Sequence, residues 1–200
     1  MTTHDWNSIY EADYRPPWDI GRPQPAFVRL AESGAFTGRV LDAGCGTGEH
    51  ALLAAGSGAE VVGLDVSARA IEQATEKAAA RGLDVRFEVG DATNLRQLDA
   101  TFNASIDSGL FHVFNDDDRA KYVASLASVL EPGGTCHLMC FSENEVGNFG
   151  PRRVTQAELR SAFSDGWTVT NIVPSAFEVS RRDEFSGSTA EAWLATITRH

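Results

Sequence analysis

The stretch that most constrains this chain is RVLDAGCGTGEHALLAAGSG, residues 39–58. A short apolar run ends at Gly44, glycine recurs at 46 and 48, and an Ala- and Leu-rich segment follows up to Gly-Ser-Gly. A strand at 39–44 that enters a helix over 47–58 through such a loop is the first half of a βα unit. Its parallel neighbour can then be reached only by a crossover. Glycine at alternate positions lets the backbone turn sharply and approach a bound molecule closely.

The remainder of the chain repeats this alternation. Strands are expected at 59–67, 83–91, 102–109 and 134–142. Between them fall a helix over 67–82, with Ser67 as N-cap and Gly82 beyond its end, and a helix within 117–134 that stops before Pro132-Gly133-Gly134. Such an order predicts an α/β fold: a doubly wound, mainly parallel seven-stranded sheet with helices on both faces. The tail departs from it. A helix over 155–166 opens with a Thr155/Glu158 capping box. Two strand-like runs, 167–180 and 189–200, then follow with no helix between them, which predicts a C-terminal antiparallel hairpin.

Composition narrows the function classes. The 200 residues carry 17 Lys plus Arg against 28 Asp plus Glu, a formal net charge of −11, with 42% hydrophobic residues. An acidic chain without a basic stripe argues against nucleic-acid binding. No apolar run approaches the roughly 20 residues of a membrane span, and the charge disfavours docking on anionic lipid. Residues 1–19 lack a basic start followed by an apolar core, so they read as no signal peptide. Three cysteines (45, 136 and 140) without a CxxC pair suit a reducing cytoplasm. Cys136 and Cys140 read as two core residues on one strand face rather than a metal pair. Asp116-Asp117-Asp118 directly precedes a helix and reads as capping acids rather than a metal cluster. No metal site is expected. Arg152-Arg153 and Arg181-Arg182 read as solvated loop residues, with a grip on an anionic acceptor as the alternative.

The loop at 40–50 has the chemistry of a nucleoside site. Asp42 ends its strand just before Gly44, and Asp65 ends the next strand, where a carboxylate can accept both ribose hydroxyls of an adenosine. The dinucleotide pattern G-x-G-x-x-G requires glycine at 49, which is glutamate here. An acid at the start of the helix works against pyrophosphate. A ligand with adenosine, a sulfonium and an amino acid but no phosphate, S-adenosylmethionine, fits better, with Asp42 facing its ammonium directly or through water.

From these residues the chain resembles the Rossmann-fold methyltransferases that use S-adenosylmethionine. The matching pieces are LDAGCGTG, VGLDVS, Asp91-Ala92, SIDSGLFHVF and LEPGG, from residue 39 to about 140, together with the terminal hairpin. The resemblance implies that Gly44, Cys45 and Gly46 line the cofactor loop. It also implies that Asp65 with Val66 holds the ribose, that Asp91 with Ala92 lies along the adenine, and that Asp107, Ser108 and Gly109 lie near the methionine part. The segment PPWDIGRPQPAF, 16–27, is similar to the front of the thiopurine, halide/thiol and heterocyclic-toxin methyltransferases. There that segment covers the cofactor and closes the acceptor pocket. Residues 1–200 are thus read as a single domain, with 1–35 as an N-terminal lid and 38–200 as the cofactor-binding core.

By the same resemblance Trp18 is a lid residue on the cofactor. Trp6 and Tyr14, four apart from Tyr10 in turn, either line the acceptor pocket or form one packed helix face. FSENEVGNFGPRRVT, 141–155, resembles an acceptor-pocket loop of the heterocyclic-toxin branch and brings in Phe149. Phe111 and His112 follow strand four, at the end of the sheet where ligands bind. His112 is the candidate catalytic residue, as a base or as an orienting group, with a satisfied polar residue among Phe111, Val113 and Phe114 as the alternative. His50, inside the first helix, reads as structural or as a cofactor-side contact. The expected partner is a small, flat, aromatic or heterocyclic acceptor with a reacting O, N or S atom. The enzyme itself is expected to be a monomer or weak homodimer. A halide/thiol acceptor is the nearest alternative, and a nicotinamide-dependent oxidoreductase is the alternative from another class.

Overall fold

The computed structural model describes residues 6–10, 15–147, 149–180 and 189–200. Its helices are α1 (Trp6–Ile9), α2 (Pro25–Glu32), α3 (Glu49–Gly56), α4 (Ala68–Arg81), α5 (Asp116–Val129) and α6 (Gln156–Ala162). Its strands are β1 (Arg39–Ala43), β2 (Glu60–Asp65), β3 (Arg86–Val89), β4 (Phe102–Ser108), β5 (Leu130–Phe141), β6 (Trp167–Glu178) and β7 (Thr189–Arg199). One seven-stranded sheet runs in the order β3-β2-β1-β4-β5-β7-β6. The pairs β3/β2, β2/β1, β1/β4 and β4/β5 are parallel, whereas β7 is antiparallel to both β5 and β6. The hairpin is therefore present, with its second strand inserted between β5 and β6.

The chain reverses its winding at β1, which lies between β2 and β4, so the carboxyl ends of these strands open a crevice beside the glycine loop. Each face of the sheet carries its own apolar layer. Leu41, Leu64, Leu138 and Cys140 pack with Tyr122 and Leu126 of α5 and Leu159 of α6. Val40, Ile106, Met139 and Phe141 pack with Phe27 of α2 and Ala51 and Ala54 of α3. Cys136 and Cys140 are both fully buried in the first layer, as core residues on one strand face.

Local signals place most boundaries. Ser67 accepts the Ala70 N–H, and Gly82 closes α4 at φ +64°. Thr155 and Glu158 form the reciprocal capping box of α6. Asn115 caps α5, whose first turn holds Asp116, Asp117 and Asp118. Asp116 pairs with Arg152 and Asp118 with Lys121, consistent with acids at a helix start.

Several boundaries shift, and β3 (Arg86–Val89) and α6 (Gln156–Ala162) are shorter than expected. The first helix starts at Glu49 rather than 47, because Gly44, Gly46 and Gly48 all take positive φ, at +69°, +52° and +86°. β5 starts at Leu130, because Leu130 pairs with Phe102 before a bulge restores register at Ala104 and Thr135. Within the expected lid, Pro25 opens a helix at its first position. Trp6, Tyr10 and Tyr14 do not share one described helix: α1 ends at Ile9, and Tyr14 lies outside the described residues, as do Arg181 and Arg182.

Candidate functional site

The glycine loop is built from beneath by packing. A Cβ on Gly48 would lie 2.8 Å from Ala74 Cβ and 3.0 Å from Phe87 Cζ, so this glycine lets α4 and β3 close against the loop. Cys45 gives its N–H to Leu64, its carbonyl accepts from Gly48, and its thiol sits against Gly63. Its side chain is thus a wall under the loop. Gly46 is different. A Cβ there would meet only Tyr10 Oη, at 3.0 Å, on the outer side.

Acidic groups surround the loop. Asp65 accepts from Gly46 N at 2.9 Å and Ser67 N at 2.8 Å, and burial raises its carboxyl. Asp42 is buried with neither carboxylate oxygen hydrogen-bonded among the described residues. Burial, with the Asp65 and Asp107 carboxyls nearby, pushes it up to about 8. Asp19 accepts from Thr47 Oγ1 at 2.9 Å. Val66 is exposed just past Asp65. Asp91 is exposed and caps the turn Ala92–Leu98 through Thr93, with Ala92 buried behind it.

Glu49 does not act as a bare charge at the helix start. It is 7% exposed and is held by Lys77 Nζ at 2.8 Å and by Arg81 at 2.9 and 3.0 Å, which lower its pKa. This corrects the reason for excluding pyrophosphate. Lys77 and Arg81 of α4 are engaged by Glu49, and the carboxylates of Asp42 and Asp65 remain beside the loop. That is a poor setting for two phosphates and a good one for a cationic ligand.

The N-terminal segment closes over this loop. Trp18 Nε1 donates to Tyr10 Oη at 3.4 Å, and Trp6 meets Trp18 edge-on at 6.4 Å between centroids. Ser67 Oγ reaches Asn7, Gln73 reaches the Tyr10 carbonyl, and Gln24 N–H donates to His50 Nε2 at 3.1 Å. His50 is therefore a structural joint between α2 and α3. Tyr10 and Asp19 stand at the loop without having been singled out from sequence as site residues. Their signal was adjacency: Asp19 follows Trp18, and Tyr10 follows Trp6 by one helical turn.

After β4 the expected residues separate. Asp107 is fully buried, accepts the N–H groups of Leu110 and Phe111, and is pushed up to about 6 by burial. It shapes the turn Phe111–Val113 instead of offering its carboxylate to a ligand. Phe111 is fully buried against Phe163 at 5.8 Å and beneath Arg119 at 4.4 Å, so it is core and not a pocket wall. Ser108 is half-buried at the strand end, and Gly109 takes φ +92°.

His112 packs against Phe141 at 4.7 Å and Phe177 at 5.9 Å. Its Nδ1 accepts the Phe141 N–H at 2.9 Å. A nitrogen that accepts carries no proton, so the neutral ring bears its hydrogen on Nε2. Burial, with Arg119 and Arg153 nearby, lowers its pKa to about 3. The reading of His112 as a base fails on this geometry; a hydrogen-bond donor remains. Phe149 is exposed, and its carbonyl accepts from Arg153 at 2.8 Å, within a loop that Arg153 also holds at Pro151 and Glu145.

Acids thus stand around the glycine loop at the carboxyl end of the sheet, and the buried rings of His112, Phe141 and Phe177 pack together beside it. A family model described as "Methyltransferase domain" matches residues 40–134. The 2-heptyl-1-hydroxyquinolin-4(1H)-one methyltransferase of Mycobacteroides abscessus is 38% identical over 185 residues, covering 86% of this chain and 82% of that one. The chain belongs to the class I S-adenosylmethionine-dependent methyltransferases. A probable thiol methyltransferase of Arabidopsis thaliana is 28% identical over 88% of this chain and 79% of its own. A structure titled for the conversion of a disulfide bond into a thioacetal group during echinomycin biosynthesis matches 97% of this chain and 91% of its own, at 38% identity and a TM-score of 0.87. No helix of this methyltransferase among the described residues is long and apolar enough to cross a membrane.

Proposed function

We propose that this methyltransferase alkylates an O, N or S atom of a small aromatic or heterocyclic acceptor. The observation that carries this is the His112–Phe141–Phe177 cluster beside the carboxyl end of β4, next to a glycine loop ringed by acids. Rings of this kind favour a flat, largely apolar molecule. The similarity to a hydroxyquinolinone enzyme supports the same class, and the thiol methyltransferase keeps sulfur among the acceptors.

S-adenosylmethionine, when bound, supplies an electrophilic methyl group. The residues present fit it, because the buried Asp42 carboxylate lacks a partner that an ammonium group provides. Asp65 would hold the ribose, with Val66 beside it. Asp91 and Ala92 would border the adenine, and Trp18 and Tyr10 would close the cover. Ser108 and Gly109 would border the reacting end. Trp6, Phe149 and His112 are the acceptor-side residues. The protein's main contribution is alignment, which in favourable cases is worth about 7–11 kcal/mol.

We also place the chain in a reducing compartment, on the strength of three unpaired buried cysteines, and read it as one domain that acts as a monomer or weak homodimer. Incubation with methyl-labelled cofactor and a panel of phenols, hydroxyquinolines and thiols, read by mass spectrometry, tests the proposal. Addition of one methyl to ring-bearing members is expected; no labelled product from any member refutes it.

A further inference from the structure

We propose that His112 serves as a fixed hydrogen-bond donor, through Nε2–H, to an acceptor atom that enters already ionised, so that the acceptors are acidic, ring-bearing O–H or S–H compounds bound as anions. This rests on the methyl-transfer reading above.

The Phe141 N–H occupies Nδ1 at 2.9 Å and so assigns the ring proton to Nε2. Nε2 has no hydrogen-bond partner among the described residues, nor is it among the sealed polar atoms that lack one. It lies 3.3 Å from where a Cβ on Gly109 would stand, so glycine keeps the space before it open at the carboxyl end of β4. The ring cannot turn freely between Phe141 and Phe177.

The charged groups packed around His112 leave it without a base to relay through. Asp107 on β4 is spent on the N–H groups of Leu110 and Phe111. Arg119 on α5 covers the Phe111 ring and donates to its carbonyl. Glu143 and Glu145, beyond β5, are bound to Trp193 Nε1 and Glu191 N on β7. Beside Phe177 on β6, Glu178 pairs with Arg22. Arg153 lies 5.4 Å over the Phe141 ring, donates only to carbonyl oxygens and has no carboxylate within 4.0 Å among the described residues. Its charge therefore has no carboxylate partner there and lies against the Phe141 ring of the aromatic cluster.

A site with a donor and a cation but no free base selects an anion. The balance then closes without a base. The acceptor has lost its proton to water beforehand, its lone pair forms the new bond to the methyl carbon, and the carbon–sulfur pair stays on sulfur. No proton leaves during transfer.

Two measurements test this. Nitrogen-15 NMR of histidine-labelled, ligand-free protein should show His112 as the Nε2–H tautomer without titration between about pH 5 and 8. An Nδ1–H tautomer, or an imidazolium forming in that range, overturns the proposal. Second, kcat/KM is followed against pH for acceptors of graded acidity. The midpoint should track each acceptor's own pKa, whereas one midpoint common to all acceptors overturns the proposal.

His112→Asn keeps an oxygen for the Phe141 N–H but loses the outward donor, and should fall roughly 10- to 100-fold. His112→Gln restores an outward N–H and should recover most of that loss; equal loss in both variants overturns the donor role. If the wild type methylates no acceptor while its NMR signature holds, the methyl-transfer reading fails and the tautomer assignment stands.

Discussion

Replacing Gly48 with alanine separates what the glycine loop does for folding from what it does for binding. Gly48 sits at φ +86°, where a non-glycine residue is strained by about 1–2 kcal/mol. Its new Cβ would lie 2.8 Å from Ala74 Cβ and 3.0 Å from Phe87 Cζ. Ala74 is fully buried on α4 and its Cβ is held by the helix backbone, and overpacking of this kind costs about 1–3 kcal/mol. The sum is about 2–5 kcal/mol, which for a chain of this size lowers Tm by roughly 5–15 °C. Gly46→Ala carries a smaller strain at φ +52°, close to the ordinary left-handed well, and its Cβ meets only the Tyr10 hydroxyl. Its loss of stability should stay near about 1 kcal/mol, while its methyl fills the outer face of the loop. Urea unfolding and calorimetric titration with S-adenosylhomocysteine distinguish the two. Gly48→Ala should shift the unfolding midpoint strongly, and Gly46→Ala should mainly weaken binding, by tenfold or more on the order of one lost contact. If Gly48→Ala unfolds within about 0.5 kcal/mol of wild type, or if the two are equally destabilised, the division of labour is wrong.

Other consequences can be checked in the same protein. Glu49→Gln should cost about 1–2 kcal/mol at neutral pH, a figure reduced because Arg81 is largely exposed. The pKa of Glu49 is lowered, so its contribution is present above the ordinary value of 4.5 and is lost as pH falls through the folded value; the gap between variant and wild type in urea melts should close in acid. Asp42 is raised to about 8, so the folded chain binds a proton that the unfolded chain lacks, and stability should fall as pH rises from about 4 toward 8. Asp42→Asn should flatten that slope. A cationic ligand should also pull the proton off, so titrations in buffers of different ionisation enthalpy should show proton release near pH 7 in wild type and none in the variant. Trp18→Ala should change stability by less than about 1 kcal/mol, because the ring is 43% exposed, yet weaken cofactor affinity in the same titration.

Much of the architecture was legible because it is written in local chemistry. The N-cap Ser67 with Gly82, the Thr155/Glu158 box and the three positive-φ glycines each act within a few residues of themselves. Missing helices mark the terminal hairpin equally directly. The insertion of β7 between β5 and β6 was not legible, since both neighbours of β7 are antiparallel to it and pattern alone does not rank them. The helix at Pro25–Glu32 escaped notice in a proline-rich stretch, although Pro25 takes the one helical position that tolerates proline.

Function divides along the same line. From sequence alone come the loop, the acids at the ends of β1 and β2, and the aromatic residues near the carboxyl edge of the sheet. Their order along the chain carries the resemblance to the S-adenosylmethionine-dependent methyltransferases that pointed to the cofactor. Tertiary structure decided which of two adjacent residues enters the core. Phe111 and His112 lie on one short turn, where successive side chains diverge by about 120°. The buried Asp107 carboxylate, gripping the N–H groups of Leu110 and Phe111, helps set that turn so that Phe111 enters the core and His112 remains beneath Gly109. Tertiary structure also turned Glu49 from a charge facing a ligand into the partner of Lys77 and Arg81, and His112 from a candidate base into a donor. In each case a group from a distant element occupied the lone pair or the charge: α4 for Glu49, and the Phe141 N–H of β5 for His112. A residue type specifies what a group is able to do, and the partner that folding brings to it decides which of those things it does.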